Sequence, residues 1–133
     1  MEGWKSLAIL AGRILLAVIF LQSGTGKIGN FAGTAQNMGA HGMPYPSFFL
    51  VGAIFFEVIG SLTIILGYYL RFGAVLILIF LIPTSLIFHN LFVDPKMQIQ
   101  FMKNVSIFGG MLVLLAAGAG RYSLDYFTRG IKE

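Results

Sequence analysis

The sequence predicts an all-α integral membrane protein, a four-transmembrane-helix bundle with a short interfacial helix in its first loop. Three observations predict it. Mean hydropathy is +0.86 and only 11% of the 133 residues are charged, against about 25% in soluble domains. Four apolar segments, 6–26, 47–67, 70–92 and 101–119, reach the roughly 20 residues a helix needs to cross about 30 Å of hydrocarbon. The stretches between them carry most of the charge and the turn-forming residues. Helices are expected because lipid offers backbone groups no other partner. One membrane domain, 1–133, accounts for the chain, with 120–133 as its tail.

Segment 6–26 has Lys5 ahead of it and could open a signal peptide. Arg13 within the apolar run and the missing small-residue cleavage site favour an uncleaved first span. Its ten Leu, Ile, Val and Phe residues contribute roughly −0.5 kcal/mol each, against about +3 kcal/mol for the arginine. Insertion still wins. The loop 30–46 is rich in Gly and ends in Pro44 and Pro46, while Phe31, Ala35 and Met38 at helical spacing predict the interfacial helix. "LGYYLRFG" predicts a tight hairpin between the second and third spans. Pro83, mid-span in "LIPTSL", predicts a bend. The fourth span opens with Lys103 and Asn104. Small residues four apart, Ala8/Gly12, Ser106/Gly110 and Ala116/Gly120, predict close helix approach.

An even number of spans puts both termini on one side. That side carries Lys5, Arg71, Arg121, Arg129 and Lys132, against Lys27, Lys96 and Lys103 on the other. The positive-inside rule then places both termini in the cytoplasm of a multi-pass bacterial inner (plasma) membrane protein.

Several chemistries are excluded. Without cysteine there are no disulfides, thiol redox couples or thiolate metal sites. The net charge of +4 is scattered and does not track nucleic acid. One membrane histidine, His89, cannot supply two haem ligands, and His41 lies in a loop. No metal-ligand spacing and no nucleotide loop appear, so no intrinsic cofactor or metal is expected.

The residues that need explaining are polar ones inside spans. Glu57 and Arg13 fall at similar depths when counted from opposite faces, which predicts an Arg13–Glu57 ion pair between the first two spans. Such a pair can be a register pin or a ligand and proton site. Arg13 and Lys27 share one stripe of the first span with Ala17, Phe20 and Gly24, and Ala53, Gly60 and Ser61 leave room beside Glu57. Ser85 and His89 share a face of the third span, with Lys103 and Asn104 opening the fourth at the same end. Together they predict a polar cleft running from mid-membrane to the non-cytoplasmic surface, with Glu57 handling protons and Arg13 orienting it. In the tail, Ser123 is expected to cap a short surface helix laying Leu124, Phe127 and Ile131 on the bilayer, and Asp125 to pair with Arg121 or Arg71.

The stretches "GRILLAVIFLQSGTGKI", "HGMPYP", "FEVIGSLTIILGYYLRFGA" and "KNVSIFGGMLVLLAAGAGRYSLD" resemble the DoxX family of four-span bacterial membrane proteins over roughly residues 8 to 125. Matching positions include Arg13, Gly24, Lys27, Pro44, Glu57, Gly60, Gly67, Arg71, Gly120, Arg121, Ser123 and Asp125. The resemblance implies an inner-membrane bundle. It also implies an association with quinone-coupled oxidation, quinone tolerance or oxidative-stress complexes. The leading expectation is therefore a membrane subunit, needing a redox partner protein or a second copy of itself, that binds a quinone or similar amphiphile. A small-molecule transporter and a ligand-free scaffold are the alternatives.

Overall fold

The computed structural model describes residues 3–87 and 95–129. Among the described residues there are six helices, α1 (Gly3–Gly29), α2 (Phe31–Ala40), α3 (Pro46–Leu66), α4 (Leu70–Ile87), α5 (Gln98–Ala117) and α6 (Leu124–Arg129), with a 3₁₀ turn at Pro95–Met97 before α5. Helices α1, α3 and α5 are long and apolar enough to cross a membrane, and α4 is a shorter apolar helix over its described length. The rest of the expected third span, 88–92, lies outside the described residues.

Helix α3 is central, with α1, α2 and α4 all packing on it, while α5 rests on α4 and more lightly on α1. The main core gathers Ala17 and Phe20 of α1, Ile64 of α3, Ile77 and Leu81 of α4 and Met111 and Leu114 of α5. A second cluster, Ala35, Met38 and Leu50 with Phe31 and Ile54 against them, seats the amphipathic α2 on the start of α3. The predicted interfacial helix is therefore present, and its apolar stripe is what holds it. Pro46 begins α3 where a missing N–H costs nothing. Gly67, in the left-handed region at φ +67°, ends that helix and opens the tight hairpin.

Antiparallel α1 and α3 are not flush. Gly24 of α1 faces Glu57 and Val58, so close that a Cβ would lie 2.7 Å from Val58 Cγ2. Arg13, about 16 Å back along α1 at 1.5 Å per residue, is level with Ile64 and Ile65 at the far end of α3. The first turns of α1 therefore overhang α3 and meet the turn after α5, where Gly120 lies against Ile9. At the opposite end it is α3 that projects, and α2 covers it.

Of the spaced pairs predicted, Gly110 and Gly120 mark close approaches to α1, where a Cβ would stand 3.1 Å from Leu16 Cδ2 and 3.3 Å from Ile9 Cγ2, but the tightest crossings fall elsewhere. Gly12 has open space beside it. At the α3–α4 crossing a Cβ on Gly73 would overlap Thr63 Oγ1 and stand 2.8 Å from Gly60 O, and a Cβ on Gly60 would stand 3.0 Å from Ile77 Cδ1. Gly60 thus lets α4 approach, and does not open room beside the acid.

Candidate functional site

Two polar assemblies lie at opposite ends of the bundle. In the first, Glu57 is buried and its Oε1 accepts a 2.5 Å hydrogen bond from Lys27 Nζ. Helical side chains lean toward the N-terminus, so Lys27 reaches back along α1 to the level of Gly24. Its ammonium also donates to Ser23 Oγ at 2.6 Å and stands 5.7 Å from the Phe80 ring centre. The lysine is 24% exposed and the acid 1%. Lys27 therefore faces outward and Glu57 stands behind it as the counter-charge.

Outward from Lys27 lies a cavity of about 710 Å³ under α2. Phe49, Phe56, Ile79 and Phe80 form apolar walls, while Thr34, Asn37 and His41 border its α2 side. Ala53 and Gly52 of α3 and Pro83 and Thr84 of α4 also line it, with Met38 and the turn 42–44 on the α2 side. Thr84 Oγ1 donates to Phe80 O at 2.9 Å, so part of the backbone near the proline is satisfied from its own helix. A volume of this size suits a ligand of ordinary small-molecule dimensions, with many apolar groups and a few polar ones fixing its orientation.

The expected Arg13–Glu57 pair does not form. Arg13 is buried and clasps backbone instead. Its Nε donates to Ile64 O at 3.0 Å, Nη1 to Ala119 O at 2.7 Å, and Nη2 to Tyr122 O at 2.5 Å and Ile65 O at 3.4 Å. Equal counting from the membrane faces assumed flush helices, and the overhang of α1 moves Arg13 away from the acid. Of the residues expected to make room around Glu57, only Ala53 lines the cavity. Ser61 is fully buried and donates to Val58 O at 3.0 Å.

The predicted outer cleft also divides. Ser85 and Asn104 join α4 to α5 through a 3.0 Å hydrogen bond from Asn104 Nδ2 to Ser85 Oγ, beside a separate cavity of about 210 Å³. Lys103 is exposed and lines neither cavity. His89 lies outside the described residues. It is His41, from the loop, that borders the main cavity. Among the described residues no group of His, Asp and Glu side chains is gathered that could hold a metal ion.

The second assembly is the Arg13 end. Ser123 Oγ accepts the Tyr126 N–H at 3.2 Å, the predicted cap of α6. Leu124 and Phe127 are exposed as the surface-helix reading requires, and Ile131 lies outside the described residues. Asp125 is buried where an exposed ion pair was expected. Its carboxylate accepts the N–H groups of Tyr69 at 2.8 Å and Leu70 at 3.2 Å, capping α4 from a distant part of the chain. Arg71 donates to Leu115 O at 2.9 Å and Ala116 O at 3.4 Å, the end carbonyls of α5, and Arg121 is exposed. Ser123 packs against Gly67, where any side chain would overlap it.

The DoxX family model matches residues 8–90 of the chain. The closing "GRYSLD" lies beyond that match. Inner membrane protein YqjF of Escherichia coli (strain K12) is 38% identical over 125 residues, covering 94% of this chain and 95% of the relative. Inner membrane protein YphA of the same organism is 36% identical over 127 residues, covering 91% of this chain and 90% of the relative. No solved structure matches the chain at a significant level.

Proposed function

The chain belongs to the DoxX family of inner-membrane proteins, and we propose that it binds a quinone-like amphiphile beneath α2, as a membrane subunit of a redox or oxidative-stress complex. The observation that carries this reading is the cavity of about 710 Å³ with aromatic walls and the Lys27–Glu57 pair at its inner edge. An apolar ring or chain packs on Phe49, Phe56 and Phe80. A head-group oxygen accepts a hydrogen bond from Lys27, whose three donors exceed the two acceptors already engaged. Glu57 is the proton-handling group behind it. Where the ligand is a quinone, electrons come from a partner protein.

The position of the cavity supports binding over transport. It occupies the α2 end of the bundle, while the other end is filled by Arg13 among its four carbonyls and by Ser123 against Gly67. In this reading the termini are cytoplasmic and the cavity opens towards the outer leaflet. Photolabelling with an azido-quinone in native membranes tests the reading. Label is expected on residues 49–56 and 79–84, with none where Lys27 is replaced by methionine. Label spread evenly over lipid-facing positions such as Leu15 and Val113, both exposed, would show that the cavity is not the site.

A further inference from the structure

The Lys27–Glu57 pair is a neutral unit at the inner edge of a largely apolar cavity, Lys27 lining it and Glu57 buried behind, and that neutrality constrains what can bind. An anion arriving alone would leave the buried Glu57 and its surroundings with a net negative charge beside apolar walls, which is expensive in a medium of low dielectric. A neutral hydrogen-bond acceptor leaves the charge unchanged but does not displace the carboxylate from the ammonium. A weak acid in its protonated form can do more, because it brings its own proton.

We infer that the cavity takes a membrane-permeant weak acid, a carboxylic acid or phenol with an apolar body, by exchanging partners at Lys27. The inference rests on the cavity being a ligand site and adds to the quinone-like amphiphile a second class of ligand for the same ammonium. The acid's O–H bond breaks and an O–H bond forms on Glu57. The ligand's anionic oxygen takes the place of Glu57 Oε1 on Lys27 Nζ, which keeps its three protons throughout. One ion pair replaces another and net charge is conserved.

The geometry fits this exchange in three respects. Lys27 is the exposed partner and lines the cavity, so the incoming oxygen meets the ammonium first. Among the described residues Glu57 accepts a hydrogen bond only from Lys27, through Oε1, so its carboxylate is the acceptor left for the ligand's proton once the ligand's oxygen takes its place on Nζ. Ser23 Oγ stays bonded to Nζ and keeps the ammonium in place during the exchange. Among the described residues, the elements that line the cavity beside the pair add one further titratable group, His41. On α1 there are Lys27 and Ser23, α3 supplies Glu57, α4 presents Ile79, Phe80, Pro83 and Thr84, and the α2 side contributes His41.

Isothermal titration of decanoate into the full chain in nanodiscs tests the idea, with empty nanodiscs subtracted and decanol as the neutral comparator. Repeating it in buffers of different ionisation enthalpy gives the protons taken up. Above the ligand's own titration range, about one proton should be absorbed per decanoate bound, and affinity should fall about tenfold per pH unit. Decanol should bind at least tenfold more weakly and absorb none. Glu57→Gln, which mimics the protonated acid, should keep decanoate binding and lose the uptake. Lys27→Gln should lose binding more than tenfold. Decanoate binding without uptake by the unmodified chain overturns the exchange but leaves the ligand site standing. Uptake that survives in Glu57→Gln assigns the proton to His41 and also overturns it. Absence of specific binding by either probe overturns the exchange and counts against the site itself.

Discussion

Arg13 makes four hydrogen bonds to carbonyls that have few other partners. Ile64 and Ile65 stand in the last turn of α3, where the helix supplies fewer donors, though Ile64 O also accepts the Gly67 N–H at 3.2 Å, and Ala119 and Tyr122 belong to the turn beyond α5. Arg13→Met would take a donor from all four carbonyls and leave Ala119 O at a buried contact without this partner, a loss of about 1–3 kcal/mol for such a group. The part-buried acceptors lose less, as does Ile64 O, which keeps the Gly67 N–H. We expect a loss on the order of 3 kcal/mol after relaxation, read as reduced resistance to denaturant in detergent. Arg13→Lys should recover less than half of it, because one ammonium cannot span acceptors on two elements. Glu57→Gln should be milder, since Lys27 is partly exposed and its flexible stem can carry the charge outward. The two residues should then behave additively in a double-mutant cycle, as sites separated along the bundle do. A coupling above about 1 kcal/mol would restore the direct pair that the structure replaces.

At the scale of helices, apolar length and turn chemistry made α1, α3, α5 and the hairpin legible in the sequence. The stripe Phe31, Ala35 and Met38 likewise revealed α2. The contacts between helices were not legible, because sequence spacing does not say how far one helix slides past its antiparallel neighbour. Gly110 and Gly120, both predicted, do meet α1 closely, but Gly24, Gly60 and Gly73 mark the tightest crossings, and those three sit at no common spacing. Gly73→Ala should therefore separate α3 from α4 and cost on the order of 2 kcal/mol. Gly12→Ala, facing open space, should be neutral or gain up to about 1 kcal/mol from helix propensity. Asp125→Ala should remove the cap on α4 and cost about 1 kcal/mol, with amide exchange rising first at Tyr69 and Leu70. Exchange unchanged at those two amides would show that the cap contributes nothing.

For the whole molecule, the two ends have different tasks. One is locked by Arg13, Asp125 and Ser123, so that the α3–α4 hairpin and the turn after α5 form a single unit. The other is left open around Lys27, roofed by a helix held mainly by Ala35 and Met38. The site was half-legible: Glu57 and Lys27 stood out as charges within or beside spans, but the cavity depends on where α2 settles, and no residue pattern gives that. The first turns of α1 and helix α6 lie at one end of the bundle, and cysteines introduced singly at Thr128 and Ala40, exposed positions in a chain without native thiols, report the orientation of the bundle. Thr128 should be protected from external reagent in intact cells and Ala40 labelled, with the reverse pattern inverting the topology. The central claim, that the cavity holds a ligand, is tested most directly by filling it. Gly52 lines the cavity, and a Cβ there would meet no heavy atom within 4 Å, so Gly52→Phe occupies the space without displacing the backbone. Native mass spectrometry of the protein released from membranes should find a small amphiphile bound to the unmodified chain and absent from Gly52→Phe, with both equally stable. The same molecule retained at the same occupancy in Gly52→Phe would contradict the account.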